Sequence, residues 1–179
     1  MAGHAGDVFQ PLALAVLTVS DTRGLAEDTS GAALAERLQG AGHVLAGRVI
    51  APDDRYRIRA EVSAWIADSR VDGVLISGGT GLTARDVTPE AVRPLLDREI
   101  PGFGELFRQR SFEEIGNATL QSRAVAGVAN ATLIFALPGS TGGCCTAWDR
   151  VLADQLDART RPCNFATLLP RMRASEPLA

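Results

Sequence analysis

The chain has 179 residues, enough for one domain with a full hydrophobic core, and its 46% hydrophobic and 22% charged residues exclude wholesale disorder. A formal net charge of −3 without a basic stripe argues against nucleic acid as a partner. No apolar run approaches the roughly 18 residues of a membrane span, and the first residues lack a signal-peptide pattern, so we expect a cytoplasmic protein without membrane contact.

The first half of the chain alternates between predicted strands and helices. Met1 to Gln10 is small and polar, which predicts a flexible N-terminus. Short apolar runs predict strands, and apolar residues at helical spacing predict helices, the first of them capped by Ser30. In chain order these elements are strand 12–20, helix 31–41, strand 44–50, helix 55–68 and strand 71–77. This alternation is typical of parallel βαβ units with helices on both faces of a sheet.

The second half departs from that alternation. Apolar spacing predicts helices over 89–96, 103–114 and 144–157, and a loop lies at 117–122. Apolar runs at 123–128 and 132–137 are separated by Ala129-Asn130-Ala131, which predicts a hairpin and hence one antiparallel strand. Three prolines after residue 158 predict an extended rather than helical C-terminal region.

These elements predict an α/β fold with a mostly parallel sheet of about five strands and one antiparallel strand. No linker is long enough to divide the chain, so we expect a single domain over 11–169 and a tail at 170–179. Ligands of such sheets bind at the carboxyl ends of the strands. Four segments are therefore expected to meet there: 20–30, 52–54, 78–86 and 138–143.

The stretch from Val71 to Ala91 carries the strongest functional pattern. A buried strand runs into Gly78-Gly79-Thr80-Gly81, and Arg85 and Asp86 follow. Thr88-Pro89 then predicts a helix start with threonine at the N-cap and proline at the first helical position. Backbone N–H groups at such a turn can face an anion. Our hypothesis is a phosphate-bearing ligand, with Asp86 as the reactive or metal-holding carboxylate.

Simpler interpretations stay open for the same residues. The turn matches neither the P-loop nor the dinucleotide-binding pattern, and its glycines could serve only a tight turn with positive φ. The pairs Arg85-Asp86 and Asp53-Asp54 could be solvated surface charges. His43 has no partner that suggests a catalytic triad. Three cysteines without a Cys-x-x-Cys pattern predict reduced structural thiols rather than zinc ligands or disulfides.

Residues 77–91, read as SGGTGLTARDVTPEA, resemble the signature of the molybdopterin-binding family of molybdenum cofactor biosynthesis proteins. The resemblance extends in the family's order over about 11–169. Its further motifs are LTVSD at 17–21, DTSG at 28–31, PDD at 52–54, PGFGE at 101–105, SRA at 122–124 and LPGS at 137–140. Two longer strings, 119–130 and 156–165, resemble one branch of that family.

The resemblance implies a three-layer α/β/α sandwich and a homo-oligomer, trimer or hexamer. It implies that the ligand is molybdopterin, a pterin dithiolene with a terminal phosphate. The implied reaction is magnesium-dependent transfer of AMP from ATP to that phosphate, which gives adenylyl-molybdopterin and releases pyrophosphate. Alignment and charge neutralisation suffice for such a reaction, because the attacking phosphate is already anionic.

The same resemblance assigns roles to individual positions. Asp53 and Asp86 correspond to the family's functional acids and are the implied catalytic and magnesium-binding residues. The implied binding residues are Ser20, Asp28, Ser30, Gly78, Gly79, Thr80, Gly81, Arg85, Pro138, Gly139, Ser140 and Thr141.

One departure from the family pattern bears on activity. Many members carry a lysine near positions 142 and 143, where this chain has Gly142 and Gly143. A basic phosphate contact is therefore lost or moved, with Arg85 and Arg23 as candidates. Three functions stay open: a molybdopterin adenylyltransferase, a non-catalytic molybdopterin carrier, and a scaffold for other proteins of the cofactor pathway.

Overall fold

The computed structural model describes residues 8–174. Within that range six strands form one sheet: β1 Ala13–Val19, β2 Val44–Ala51, β3 Gly73–Ser77, β4 Arg98–Glu99, β5 Val125–Ala129 and β6 Thr132–Leu137. The helices are α1 Thr29–Gly40, α2 Arg55–Ala67, α3 Thr88–Val92, α4 Pro101–Ile115, α5 Thr141–Ala147, α6 Ala153–Leu156 and α7 Phe165–Arg173. Short 3₁₀ turns follow α3 and α4, and a π-helical turn, Trp148–Leu152, joins α5 to α6.

The sheet confirms the predicted fold class. Its strand order is β2-β1-β3-β6-β5-β4, with β2, β1, β3 and β6 parallel and β5 antiparallel to both of its neighbours. The hairpin between β5 and β6 turns on Asn130 and Ala131, whose φ angles of 45° and 57° are typical of a tight turn that follows the strand twist. The two-residue strand β4 was not predicted, because two exposed charged residues carry no strand pattern.

Helices cover both faces of the sheet, as the alternating strands require. Leu14, Leu75 and Phe135 point to a core closed by α1 and α4 to α7. Leu17 and Ile76 point to the opposite face, where α2 and α3 cover them. Because successive strand residues face opposite sides, strands buried on both faces read as continuous apolar runs. The three-layer α/β/α arrangement is therefore confirmed.

The prediction of an extended C-terminal region is wrong, because residues 165–173 form α7. Asn164 caps this helix by accepting a hydrogen bond from the Thr167 N–H at 2.8 Å, and Leu169 is buried. Pro170 removes one backbone donor, but the cap and the buried face outweigh that loss. The expected loop at 117–122 is instead mostly a 3₁₀ turn.

Two predictions concern the chain ends. Met1 to Asp7 lie outside the described residues, and so does the end of the tail, residues 175–179. Phe9 packs against the buried His43 at a ring-centroid distance of 5.1 Å.

No helix in residues 8–174 is long and apolar enough to cross a membrane.

Candidate functional site

The four segments expected at the carboxyl ends of the strands do come together. The Asp53 N–H donates to the Asp21 carboxylate at 3.1 Å, which joins the loops after β1 and β2. Asp21 also pairs with Arg85 of the glycine-rich turn. The Thr29 and Thr141 hydroxyls lie 2.8 Å apart, which joins the first segment to the start of α5. Connectivity alone was therefore sufficient to predict this cluster.

Glycine is required at the start of the turn after β3. Gly78 and Gly79 have φ angles of +103° and +65°, a region that side chains with a Cβ rarely adopt. A Cβ on Gly78 would collide with the Val19 carbonyl, and one on Gly79 with the Thr88 hydroxyl. Thr88 is the first residue of α3, whose N-cap is Val87, and the Thr88 hydroxyl donates to the Gly78 carbonyl at 2.8 Å. The predicted threonine cap is wrong because this side chain fixes the turn instead.

Asp86 lies at the far end of the turn, where its carboxylate closes a small loop. One carboxylate oxygen accepts from the Thr83 N–H at 2.8 Å and the Thr83 hydroxyl at 2.7 Å. Burial raises the pKa of Asp86, but hydrogen bonds from Thr83 and Gly81 and the charge of Arg123 outweigh burial and lower it overall. The carboxylate is therefore held in its ionised form.

The turn after β6 forms the facing side of the site. A Cβ on Gly139 would lie 3.2 Å from the Gly78 Cα, so the two glycine-rich turns are in close contact. Ser140 caps α5 by accepting from the Gly143 N–H at 3.2 Å. A Cβ on Gly143 would lie 2.9 Å from the Ser140 hydroxyl, whereas one on Gly142 would meet no atom within 4 Å. Gly142 therefore has room for a side chain.

A cavity of about 490 Å³ lies between these two turns and helix α4, a volume within the range of small-molecule sites. Its lining includes Phe107 and Ile115 of α4 and Thr146 of α5. Among the described residues that line the cavity none is Lys, Arg or His, and two are acids, Asp86 and Glu114. The predicted site residues on its wall are Gly79, Thr80, Gly81, Asp86, Pro138, Gly139 and Ser140.

The other predicted site residues lie outside the cavity wall. Asp28 and Ser30 are buried, and the Asp28 carboxylate binds Arg48 at 2.8 Å and caps α1 through the Gly31 N–H. Asp28, rather than Ser30, is therefore the N-cap of that helix. The Ser20 hydroxyl accepts from the Thr22 and Arg23 N–H groups within its own loop. Asp53 also lies outside the cavity wall, in the loop after β2. The remaining members of the set are Gly78, Arg85 and Thr141, all in the adjoining turns described above.

The two expected replacements for the missing lysine are already engaged. Arg85 is 70% exposed and pairs with Asp21. Arg23 donates to the Gly139 carbonyl at 3.4 Å. Neither side chain lines the cavity. Within residues 8–174, no cationic side chain lines the cavity in place of the lysine.

The pKa of Asp53, in the loop after β2, is raised above its ordinary value. Burial raises the pKa of Asp53, and the negative charge of Asp86 raises it further. A divalent cation between two such carboxylates would relieve their repulsion. Within residues 8–174 no group of three His, Cys, Asp or Glu side chains is placed to hold a metal. A pair of carboxylates still fits Mg²⁺, which takes its other ligands from water and substrate phosphates.

Sequence reasoning missed the wall opposite the glycine-rich turn. Phe107, Ser111 and Glu114 line the cavity from α4, and Thr146 donates to Glu114 at 2.7 Å. These residues were assigned to a helix, but no spacing rule shows which helix face closes a cavity. Arg123 was also missed, although the SRA motif contains it. Its guanidinium binds the carbonyls of Gly81 and Asp86.

The cysteines and the buried His43 have contacts typical of residues that stabilise the fold. Burial raises the pKa of the Cys144 thiol to about 11, and that thiol contacts the Pro138 carbonyl at 3.2 Å. All three cysteines are free, which agrees with the predicted reduced thiols. His43 accepts a hydrogen bond from the Leu12 N–H, and burial lowers its pKa.

Comparisons with known proteins agree with this geometry. The family described as "Probable molybdopterin binding domain" matches residues 15–158. Molybdenum cofactor biosynthesis protein B of Escherichia coli strain K12 is 62% identical over 157 residues, which are 88% of this chain and 92% of that protein. A crystal structure of molybdenum cofactor biosynthesis protein B superposes with a TM-score of 0.83 at 38% identity, covering 91% of this chain and 96% of that one.

A second solved structure, the tungsten cofactor synthesizing protein MoaB from Pyrococcus furiosus, has a TM-score of 0.76 at 34% identity and covers 92% of this chain and 98% of its own. The branch that strings 119–130 and 156–165 resemble is that of these B proteins. The family match, the identity and the shared fold cover the same part of the molecule. This chain therefore belongs to the molybdopterin-binding domain family of molybdenum cofactor biosynthesis proteins.

Proposed function

We propose that the protein takes part in molybdenum cofactor biosynthesis by binding molybdopterin in this cavity and transferring AMP from ATP to its terminal phosphate. The observation that carries the proposal is the cavity itself, which both glycine-rich turns border and whose wall includes the ionised Asp86. Its volume suits a pterin-sized molecule, and Ile115, which lines the cavity and is 57% exposed, gives a flat ring an apolar surface.

The proposed reaction does not require general acid or base catalysis. An oxygen of the molybdopterin phosphate attacks the ATP α-phosphorus, the bond from that phosphorus to the bridging oxygen breaks, and pyrophosphate leaves. The chain holds the acceptor in line through the turn around Gly79 to Gly81, and Asp53 and Asp86 would hold Mg²⁺. Bound there, Mg²⁺ would neutralise charge on the phosphates. No proton transfer is required of a side chain.

The enzyme proposal is tested with purified protein, molybdopterin, ATP and Mg²⁺ under anaerobic conditions. We expect adenylyl-molybdopterin and an equal amount of pyrophosphate. Asp86→Asn keeps an oxygen for Thr83 but removes the charge, and should abolish product. Asp54→Asn is the matched control, because Asp54 caps α2 outside the cavity and asparagine caps equally well.

The second candidate is a molybdopterin carrier without catalysis. The observation that favours it is the absence of Lys, Arg and His among the described residues lining the cavity, with Gly142 where a lysine is common. Wild-type protein that binds molybdopterin but forms no product would establish the carrier. A protein that binds no molybdopterin would refute both ligand proposals and leave the scaffold role.

We also propose that the chain forms a homo-oligomer through the end of α4 and the following 3₁₀ turn. Phe112 and Leu120 are 55% and 77% exposed there, which is unusual for large apolar side chains on free surface, whereas the exposed Ile115 beside them lines the cavity. Light scattering should give a mass of three or six chains. Leu120→Glu should lower that mass, and an unchanged mass would place the interface elsewhere.

A further inference from the structure

One side chain behind the glycine-rich turn contacts it at two points, the middle and the far end. The Arg123 Nε donates to the Gly81 carbonyl and its Nη2 donates to the Asp86 carbonyl, each at 2.6 Å. Its Nη1 pairs with the Glu90 carboxylate on α3. The backbone N–H of Arg123 donates to the Thr80 carbonyl at 2.9 Å. Residue 123 thus binds three carbonyls of one turn.

Arg123 reaches the turn from the side away from the cavity. Gly81 and Asp86 line the cavity, but Arg123 does not. Its side chain opens instead onto a second cleft of about 390 Å³, which Arg93 and Arg108 also line. Arg123 therefore does not contact a molecule in the cavity, and any effect on that molecule passes through the turn.

The geometry requires arginine in particular. A guanidinium presents N–H donors in a rigid planar fork, so it can bind three acceptors in different directions at once. A lysine ammonium keeps the charge but not that fixed arrangement. The Asp86 carboxylate itself is tied only within the turn, to Thr83. The Arg123 contact to the Asp86 carbonyl joins that end of the turn to the segment just before β5.

We propose that Arg123 is a positioning residue that sets where the Asp86 carboxylate stands on the cavity wall. Glu90 orients the guanidinium, and the guanidinium fixes Gly81 and Asp86. The consequence for adenylyl transfer rests on the proposed function, whereas the positioning of the turn does not.

The positioning is tested by amide hydrogen exchange on Arg123→Lys and Arg123→Ala. We expect the Asp86 and Thr88 amides to exchange about tenfold faster, while amides of β5 and β6 change little. Arg108→Lys is the matched control, because Arg108 lines the same cleft but makes only a 3.5 Å contact to the Ser122 carbonyl. If Arg123→Ala does not fold, Arg123→Lys carries the comparison.

Chemical rescue separates positioning from a general structural role. Methylguanidinium can enter the cleft beside Arg123, so millimolar concentrations should restore slow exchange of the turn in Arg123→Ala, and ammonium should not. Where the wild type forms adenylyl-molybdopterin, the same addition should restore kcat.

Three outcomes would overturn the proposal: turn exchange within about twofold of wild type in both variants, equal acceleration throughout β5 and β6, or no rescue by methylguanidinium. If wild-type protein forms no adenylyl product, the transferase proposal fails, but exchange and rescue still decide the role of Arg123.

Discussion

Replacing Gly142 with lysine should strengthen phosphate binding in the cavity. Gly142 lies on the cavity wall, and a Cβ there would meet no atom within 4 Å. The described residues lining the cavity include two carboxylates and none of Lys, Arg or His. An added ammonium would therefore be the first positive side chain on this wall.

The magnitude follows from Coulomb's law. An ammonium about 5 Å from a phosphate at an effective dielectric constant of about 20 gains roughly 3 kcal/mol. Side-chain entropy and solvent reduce this to about 1–2 kcal/mol, or an affinity gain of about 5- to 30-fold. The fold itself should change little, since better helix propensity at position 142 is offset by placing a positive charge in the first turn of α5.

Pairing of the new lysine with Glu114 would reduce the gain in phosphate affinity. Its carboxylate and the Gly142 carbonyl both contact the Thr146 hydroxyl, so a lysine at position 142 can reach Glu114 as well as the ligand. The gain should therefore be larger when Gly142→Lys is combined with Glu114→Gln. The increase should also shrink in high salt, because the added contact is a partly exposed charge pair.

The assay is anaerobic calorimetry of molybdopterin binding. Gly142→Gln adds a long side chain without charge, so the difference between the lysine and glutamine variants isolates the electrostatic effect. Gly143→Lys is the steric control, since a Cβ there lies 2.9 Å from the Ser140 hydroxyl and should destabilise the fold by about 1–3 kcal/mol. Equal affinities of Gly142→Lys and Gly142→Gln would refute a phosphate next to this helix.

Three further predictions concern the fold around the site. Asp28→Asn should reduce the unfolding free energy by about 3 kcal/mol, since it leaves Arg48 without its buried partner. Burial raises the pKa of Asp28, but Arg48 and the other hydrogen bonds lower it overall, so its contribution to stability is full above pH about 4 and is lost as the pH falls. Gly79→Val should cost about 3 kcal/mol in urea unfolding and weaken molybdopterin binding, because it forces positive φ on a branched residue. A maleimide should label the exposed Cys163 at pH 8 and spare Cys144, whose pKa is raised to about 11 by burial.

Each of these has an outcome that would contradict it. An acid-unfolding curve of Asp28→Asn with the wild-type slope below pH about 4 would show that this carboxyl does not control acid stability. Wild-type stability of Gly79→Val, measured beside Gly142→Gln as a tolerated glycine replacement, would show that the turn can relax. Labelling of Cys144 at the rate of Cys163 would mean that its surroundings open readily in solution.

Sequence patterns were sufficient for most of the sheet. The strands β1, β3 and β6 are apolar runs of the right length between turn residues, and β2 is a similar run interrupted by Gly47 and Arg48. Both the apolar run and the turn residues are local features of the sequence. The connectivity rule for parallel strands then placed the loops after them at one edge. Helix α7 was missed because Pro170 is unfavourable inside a helix. The prediction counted prolines and did not consider the Asn164 cap or the buried face of the helix.

By itself the sequence determined the glycine-rich turn and the family to which the chain belongs, because both depend on residue types at short spacing. Only the tertiary structure decided which residues face one cavity. In the folded chain Glu114 lies on that wall, Asp28 forms an ion pair with Arg48, and Arg123 lies behind the glycine-rich turn. The physical reason is that these contacts join residues far apart in the chain, and the packing of helices on the sheet sets which of them meet.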